Sequence, residues 1–347
     1  MLVPRYWATH TAKYRQGRTR FAMLRFGWSQ TSQQEAEDMA RARAEQAVQE
    51  RLAGGKPIGR EHKVPYGGAE GLPIREEIVD THGDIVITRN SYGARCMNVA
   101  DVCFVDVDSE WKPERMEKTQ LLGILAVMVI STVLLYFVVF KNLSPDNACC
   151  RAGTLSWGSI SSWIGAIFVS AVIVTPVFLS VLTRILKSIQ KITERDLMGW
   201  LAKLTDEEKT AGFRLYQTPL GFRIIATHKT FDPAGQEMAQ LFKRLRADPV
   251  YALMCLRQKC FRARVSAKPW RIGISGHIRG HRATWPLSAE KLPARASWVQ
   301  AYEEKAAQYC ACRFLAAIGS AAMPLPVAAA VRLHDELCGA LSGKPCA

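Results

Sequence analysis

The chain has 347 residues, 48% of them hydrophobic and 22% charged, a balance that excludes a wholly disordered protein. Its formal net charge at pH 7 is +15. Residues 184–347 hold 26 of the 46 Lys and Arg residues but only 13 of the 31 Asp and Glu residues. This basic excess favours a polyanionic partner, either nucleic acid or an anionic membrane surface.

The first portion, residues 1–119, is predicted to alternate strands and helices. Bulky apolar and aromatic residues over 20–28 predict a strand, and a helix follows to about residue 53. A short helix is predicted over 73–80. Three strands are then predicted, over 84–89, 94–98 and 102–107.

The last of these strands ends in Asp106-x-Asp108. Side chains at i and i+2 of a strand face the same side, so the two carboxylates can converge on one divalent cation, Mg²⁺ or Mn²⁺. The alternative is that the acidic pair belongs to a solvated turn or a helix cap. We therefore treat Asp106 and Asp108 as predicted metal ligands, with that alternative open.

Two uncharged apolar runs, 121–140 and 160–182, predict a transmembrane helical hairpin over 120–183. At about 1.5 Å per residue, the first run matches a hydrocarbon core of about 30 Å. Basic residues lie before the first run and after the second, which places both termini in the cytoplasm. The predicted location is the bacterial inner membrane, multi-pass, with the lipid bilayer as a partner. The alternative is a buried hairpin within a large globular domain.

Residues 184–347 are predicted to form a second, basic α/β portion. Four of its cations follow one another in the segment 260–274, where Arg262 and Arg264 are predicted on one face of a strand and Lys268 and Arg271 come next. Arginine suits phosphate groups or carboxylates, so these four residues are the predicted phosphate or nucleic-acid contacts. A solvated basic face is the alternative.

The other predicted elements of this portion are a helix over 183–204, a hairpin over 212–228, a helix over 232–245, a helix over 289–318 and a last helix ended by Gly339. The cysteines do not predict a zinc site, because Cys310-x-Cys312 and Cys255-x4-Cys260 lack the paired CxxC spacing. No catalytic residue is assigned.

These elements predict an α+β fold in which a mixed or antiparallel sheet with covering helices is interrupted by the two-helix hairpin. The portion before the hairpin ends in an acidic strand, and the portion after it supplies basic strands. Neither portion looks complete alone, so residues 1–119 and 184–347 are expected to share one sheet.

The strings KVPYGGAEGLPIREE, ITRNSYGARCMN, VCFVDVD and CFRARVSAKPWRIG resemble a family of bacterial two-helix membrane proteins whose function is uncharacterised. A second similarity is to the catalytic core of archaeo-eukaryotic-type primases and primase-polymerases, in which a strand ending in Asp-x-Asp binds metal and a strand carrying a histidine follows. Here Asp106 and Asp108 match the first motif. Arg223 stands where the histidine is expected, and His228 is displaced.

The function predicted from the sequence is therefore an integral membrane protein whose cytoplasmic domain binds divalent metal and a nucleotide or nucleic acid. The alternative is a non-enzymatic membrane-anchored scaffold that engages anionic lipid or a protein partner. A glycosyltransferase, which can use an Asp-x-Asp strand end for a metal-bound nucleotide sugar, is the third interpretation.

Overall fold

The computed structural model of the chain describes residues 3–61, 72–109, 191–276 and 285–347, together with Ser180 and Ile278. The strands in this part are β1 (Tyr6–Gln16), β2 (Thr19–Ser29), β3 (Glu77–His82), β4 (Ile85–Arg89), β5 (Arg95–Val99), β6 (Phe104–Asp108), β7 (Gly212–Thr218), β8 (Gly221–Ala226), β9 (Phe261–Arg264) and β10 (Arg313–Gly319). The α-helices are α1 (Gln33–Leu52), α2 (Glu194–Glu207), α3 (Gln236–Arg244), α4 (Pro249–Gln258), α5 (Leu292–Ala306) and α6 (Leu325–Cys338).

The N-terminal hairpin of β1 and β2 is covered by α1. The helix starts at Ser32, whose hydroxyl accepts a hydrogen bond from the backbone amide of Glu35 at 3.2 Å, and its alanine stripe packs against β1. Gly27 on β2 permits this contact, since a Cβ atom there would lie 2.0 Å from the carbonyl oxygen of Ala36 and 2.3 Å from the amide nitrogen of Ala40. The close helix–strand approach therefore requires glycine at this position.

Sheet I has the strand order β3-β4-β5-β9, with antiparallel pairing throughout. Its buried face is defined by a row of directly opposed residues, Ile87, Met97 and Ala263, each at most 1% exposed. Because side chains alternate along a strand, Arg262 and Arg264 lie on the other face. The apolar row fixes the register, and a slip by one residue would bury the arginines among these core side chains.

Sheet II has the order β10-β7-β8-β6 and is also antiparallel. Val105, Ile224 and Leu215 oppose one another across β6, β8 and β7, and none of the three has exposed surface. The adjacent row, on the opposite face, pairs Asp106 of β6 with Arg223 of β8. The same face also carries Phe104, Ile225 and Tyr216, each without exposed surface, so sheet II is buried on both faces and only the part around Asp106 and Arg223 contributes to the site described below.

Both sheets combine strands from the two ends of the chain. In sheet I, β9 pairs with β5, and in sheet II, β6 pairs with β8. Met1–Asp108 and Glu194–Ala347 accordingly belong to one compact unit. The backbone carbonyl of Ser109 accepts a hydrogen bond from the amide of Ile192 at 3.1 Å, so the chain returns at residue 192 to the point that it left after β6.

The transmembrane hairpin in the predicted fold class is corrected. Among residues 3–61, 72–109, 191–276 and 285–347, no helix is both long and apolar enough to cross a membrane. Helix α1 has 20 residues but carries eight charges, and α6 is apolar but has only 14 residues. The predicted spans 121–140 and 160–182 lie outside the described residues, except for Ser180. The predicted integral-membrane function and inner-membrane location depended on this hairpin, so they are corrected with it.

Two predicted helices are also wrong in part. The segment predicted as a short helix over 73–80 instead enters β3, because its residues pair with β4. The helix predicted over 289–318 ends at Ala306, and residues 313–319 form β10, which pairs with β7 at the edge of sheet II. In both cases strand pairing overrides the local helical preference: β3 pairs with the next strand along the chain, and β10 pairs with the distant β7.

Candidate functional site

A cavity of about 590 Å³ is lined by residues of both sheets, including Asp106 of β6 and Arg264 of β9. Its walls come from β6 and β8 of sheet II, from β9 of sheet I, from α4 and from the segment that follows β9. All six residues predicted from the sequence as site residues line it: Asp106, Asp108, Arg262, Arg264, Lys268 and Arg271. The fold therefore brings the acidic and the basic predicted residues into one pocket, although they are separated by more than 150 positions in the chain.

Asp106 is held by a buried arginine from the neighbouring strand. Arg223 Nε donates to Asp106 Oδ1 at 2.8 Å and Arg223 NH2 donates to Oδ2 at 3.2 Å, a two-point ion pair between directly opposed residues. Burial alone would lower the pKa of Arg223, but the Asp106 carboxylate offsets this and raises the pKa above its ordinary value. Both oxygens of Asp106 are thus engaged by the protein itself.

Asp108 lies two residues further along the same strand face and also lines the pocket. Its directly opposed residue on β8 is Gly221. The predicted metal pair therefore consists of two different carboxylates: Asp106 is bound at both oxygens by Arg223, and Asp108 stands at the end of the strand. Metal binding by this pair stays a prediction.

Arg262 has a structural partner as well. Its NH2 atom donates to Glu76 Oε2 at 2.6 Å, and the arginine side chain is only 8% exposed. Burial would lower the pKa of Arg262, and the adjacent Glu76 raises it instead. The charge of Arg262 is balanced inside the protein, so of the four predicted phosphate contacts it is the least available to a ligand.

The other three predicted contacts form a group of cations at the pocket wall. Arg264 NH1 donates to the carbonyl oxygen of Ser266 at 2.7 Å, and Lys268 Nζ lies 5.3 Å from the ring centre of Trp270. Burial lowers the pKa of Lys268, and the positive charges of Arg264 and Arg271 lower it further. Mutual repulsion within this group, which we call the cation cluster, would be relieved by a bound anion.

Arg271 contributes a second sign of an anion site. Its NH1 atom is buried and has no hydrogen-bond partner among the described residues. Burial lowers the pKa of Arg271, followed by the nearby charge of Arg264. A buried guanidinium nitrogen without an acceptor is costly, and a ligand oxygen would satisfy it.

Behind Arg223 lies a group of residues that the sequence did not predict as functional. Arg223 NH1 donates to the carbonyl oxygen of Arg264 at 3.0 Å and lies 3.3 Å from His334 Nε2. His334 Nδ1 is 3.1 Å from Asp335 Oδ1, and Asp335 in turn pairs with Arg214 at 2.7 Å. Arg223 therefore connects the carboxylate in the pocket to a buried histidine on α6.

His334 belongs to a cluster that could hold a metal ion. The ligand atoms of Cys312, His334 and Cys338 all lie within 4.8 Å of one another, and all three residues are buried. A hydrogen bond to Cys338, together with burial, raises the pKa of the Cys312 thiol. In the sequence, the spacing of Cys312 from Cys310 did not indicate a metal site. The usable signal was His334-x3-Cys338, because residues at i and i+4 of a helix share one face.

His228, which is displaced in the primase resemblance, does not reach the pocket. It lies next to β7, where its Nδ1 atom contacts the backbone of Gly212 at 3.2 Å. Arg223, which occupies the place where the primase resemblance expects a histidine, is the residue that binds Asp106.

Comparison of the chain with protein-family models, with curated proteins and with solved structures gives no match. The two resemblances stated from the sequence stay predictions. The residues of the pocket are therefore the basis for a functional proposal.

Proposed function

We propose that the pocket binds a phosphate-bearing ligand, a nucleotide or a nucleic-acid strand, with Arg264, Lys268 and Arg271 as the phosphate contacts. The observation that carries this proposal is the cation cluster itself: three basic side chains line one cavity, and burial, followed by the charges of the two arginines, lowers the pKa of Lys268. Arginine binds phosphate oxygens through paired N–H donors, and lysine adds a compact positive charge.

Aromatic side chains beside the cluster support a nucleoside rather than inorganic phosphate alone. Tyr92 lines the pocket, and its ring centre lies 5.2 Å from that of Trp270, which is 53% exposed and also contacts Lys268. An exposed indole next to phosphate-binding cations offers a stacking surface for a base. Base and phosphate would then be bound by adjacent residues of one segment.

A divalent cation fits this proposal as an ion shared between protein and ligand. Mg²⁺ usually binds through one or two carboxylates plus substrate phosphates and retains several waters. Asp108 lines the pocket at the end of β6 and is the carboxylate that we place next to the ion, while Asp106 is held by Arg223. We propose Mg²⁺ or Mn²⁺ bridging Asp108 and a bound phosphate.

The test is a titration of the purified chain with a fluorescent nucleoside triphosphate and with a short labelled single-stranded DNA. Lys268→Gln is expected to weaken binding about tenfold, equivalent to about 1.4 kcal/mol, and to reduce the slope of affinity against salt by about one. The matched control is Lys203→Gln, since Lys203 is an exposed lysine on α2. Absence of binding by the unmodified chain, or equal weakening by both variants, would overturn the proposal.

The cation is tested with the same titration. Mg²⁺ is expected to tighten binding of the triphosphate by the unmodified chain, and Asp108→Asn is expected to abolish that gain while leaving magnesium-free binding in place. If Mg²⁺ tightens binding equally in the variant, Asp108 does not contact the ion.

A further inference from the structure

Two elements that are distant in the chain present three metal-binding side chains to one another. Cys312 immediately precedes β10, and His334 and Cys338 lie four residues apart on α6, hence on one face of that helix. Their exposed fractions are 0%, 0% and 1%. The strand start and the helix face thus meet in a buried site that contains two thiols and an imidazole.

The spacing of these groups is close to what a tetrahedral zinc ion needs. Bonds of about 2.3 Å to sulfur and about 2.0 Å to nitrogen at tetrahedral angles separate a sulfur and a nitrogen ligand by about 3.6 Å. Cys312 Sγ lies 3.9 Å from His334 Nε2, and no pair of ligand atoms in the cluster exceeds 4.8 Å. Shifts of a few tenths of an ångström, of the size that side-chain rotation allows, would bring the first pair to bonding geometry.

The second nitrogen of the histidine has the partner that a metal-bound imidazole commonly has. His334 Nδ1 lies 3.1 Å from Asp335 Oδ1, so a proton on Nδ1 is shared with this carboxylate and the lone pair of Nε2 faces the cysteines. A carboxylate at this position fixes the ring and increases its basicity as a ligand. Asp335 is itself held by Arg214 at 2.7 Å.

Arg223 is compatible with a metal ion here because it does not depend on His334. It retains Asp106 and the carbonyl oxygen of Arg264 when its 3.3 Å contact with His334 Nε2 is given up. Two cysteine thiolates would carry two negative charges, which balance a doubly charged cation and interact favourably with the guanidinium group.

From this geometry we propose that Cys312, His334 and Cys338 bind a zinc ion that joins α6 to the start of β10. Thiolate and imidazole ligands select zinc over magnesium or calcium, and tetrahedral geometry with two sulfurs is characteristic of zinc. On binding, the two thiols release their protons to solvent and the zinc–sulfur bonds form, with no change in oxidation state. Three protein ligands leave one of the four positions for a further donor such as water.

The experiment measures zinc in the intact chain, purified under reducing conditions and without a metal-binding tag. Elemental analysis is expected to find about one zinc ion per chain after gel filtration. Cys338→Ala is expected to weaken zinc binding at least about tenfold in competition with a chromogenic chelator. Cys260→Ala is the matched control, because Cys260 is equally buried but packs with Val3 and Ile74 away from the cluster.

A measurement on the unmodified chain does not depend on how the variants fold. Replacement of zinc by cobalt is expected to produce the visible bands of a tetrahedral ion together with thiolate-to-cobalt charge-transfer absorption. The proposal is overturned if the chain takes up neither metal, if copper or iron occupies the site instead, if the charge-transfer absorption is missing, or if both cysteine variants lose zinc to the same extent.

Discussion

The pocket and the cysteine–histidine cluster both contact Arg223, but they offer a ligand opposite chemistry. On the pocket side, Arg223 holds Asp106, a carboxylate 35% exposed, next to the cation cluster. On the other side, the same guanidinium lies beside His334, which is fully buried with two cysteines. Basic side chains suit phosphate and the neighbouring carboxylates suit Mg²⁺, whereas thiols and imidazole in a buried site suit zinc. One buried arginine can therefore separate two ligand sites.

Removal of Arg223 is expected to have the largest effect, since it disturbs both regions at once. Arg223→Met would leave Asp106 without its cation and would remove a donor from the carbonyl oxygen of Arg264. We expect the free energy of unfolding, from urea titration, to fall by about 3 kcal/mol.

The control for this change is Arg244→Met, which removes an arginine whose partner is Glu207, with the two side chains 45% and 59% exposed. This variant should lose less than about 1 kcal/mol, because solvent already screens the pair. Similar losses in the two variants would mean that Arg223 does not have the structural role assigned to it.

Zinc removal is expected to come next in size and to affect only the cluster. With free zinc about a hundredfold above its dissociation constant, binding to the folded state contributes about 2.7 kcal/mol. A chelator should therefore lower the free energy of unfolding of the unmodified chain by about this amount. It should change Cys338→Ala little, and an equal effect on both proteins would place the zinc elsewhere.

The residues of the pocket could be predicted from the sequence because side chains alternate between the two faces of a strand. Asp106 and Asp108 end an apolar strand, and Arg262 and Arg264 alternate with buried residues on β9, so each pair was expected on one face. The charged partners of Arg262 and Asp106 could not be predicted from the sequence. Glu76 is distant in sequence from Arg262, and Arg223 is distant from Asp106, so each pair forms only in the folded chain.

The cluster was missed for a related reason. Cys312 and His334 come together only because β10 joins sheet II and α6 returns beside it, and the sequence had predicted helix where β10 lies. β3 was mispredicted in the same way, since its residues gain strand structure from β4. Local apolar runs also led to the hairpin prediction over 120–183, which the described residues do not support. Residue patterns within one strand or helix could be interpreted from the sequence, whereas contacts between separate elements could not be predicted.

A smaller effect is expected from Trp270, which should distinguish base from phosphate recognition. Trp270→Ala is expected to weaken nucleoside triphosphate binding by about 1 kcal/mol, roughly fivefold, because a base loses its stacking surface. Binding of inorganic tripolyphosphate should be unchanged, since Lys268 and Arg271 remain. Isothermal titration of the variant with both ligands checks this, and equal losses would argue against stacking on the indole.

The smallest expected effect is a change in pH dependence. Burial and two neighbouring arginines lower the pKa of Lys268, so the affinity for phosphate should be highest below that lowered pKa, where the lysine is charged, and should fall as pH rises through it. Lys268→Arg should flatten the affinity profile on the alkaline side, since arginine stays charged where the lysine loses its proton. Identical profiles would show that Lys268 is not the titrating phosphate contact.

The most direct test of two ligand sites separated by Arg223 is a crystal structure of the chain with a nucleoside triphosphate and Mn²⁺, recorded at the manganese and zinc absorption edges. The account predicts phosphate oxygens against Lys268 and Arg271, a manganese peak beside Asp108, and a zinc peak among Cys312, His334 and Cys338. A nucleotide bound away from the cation cluster, or manganese among the cysteines, would contradict it.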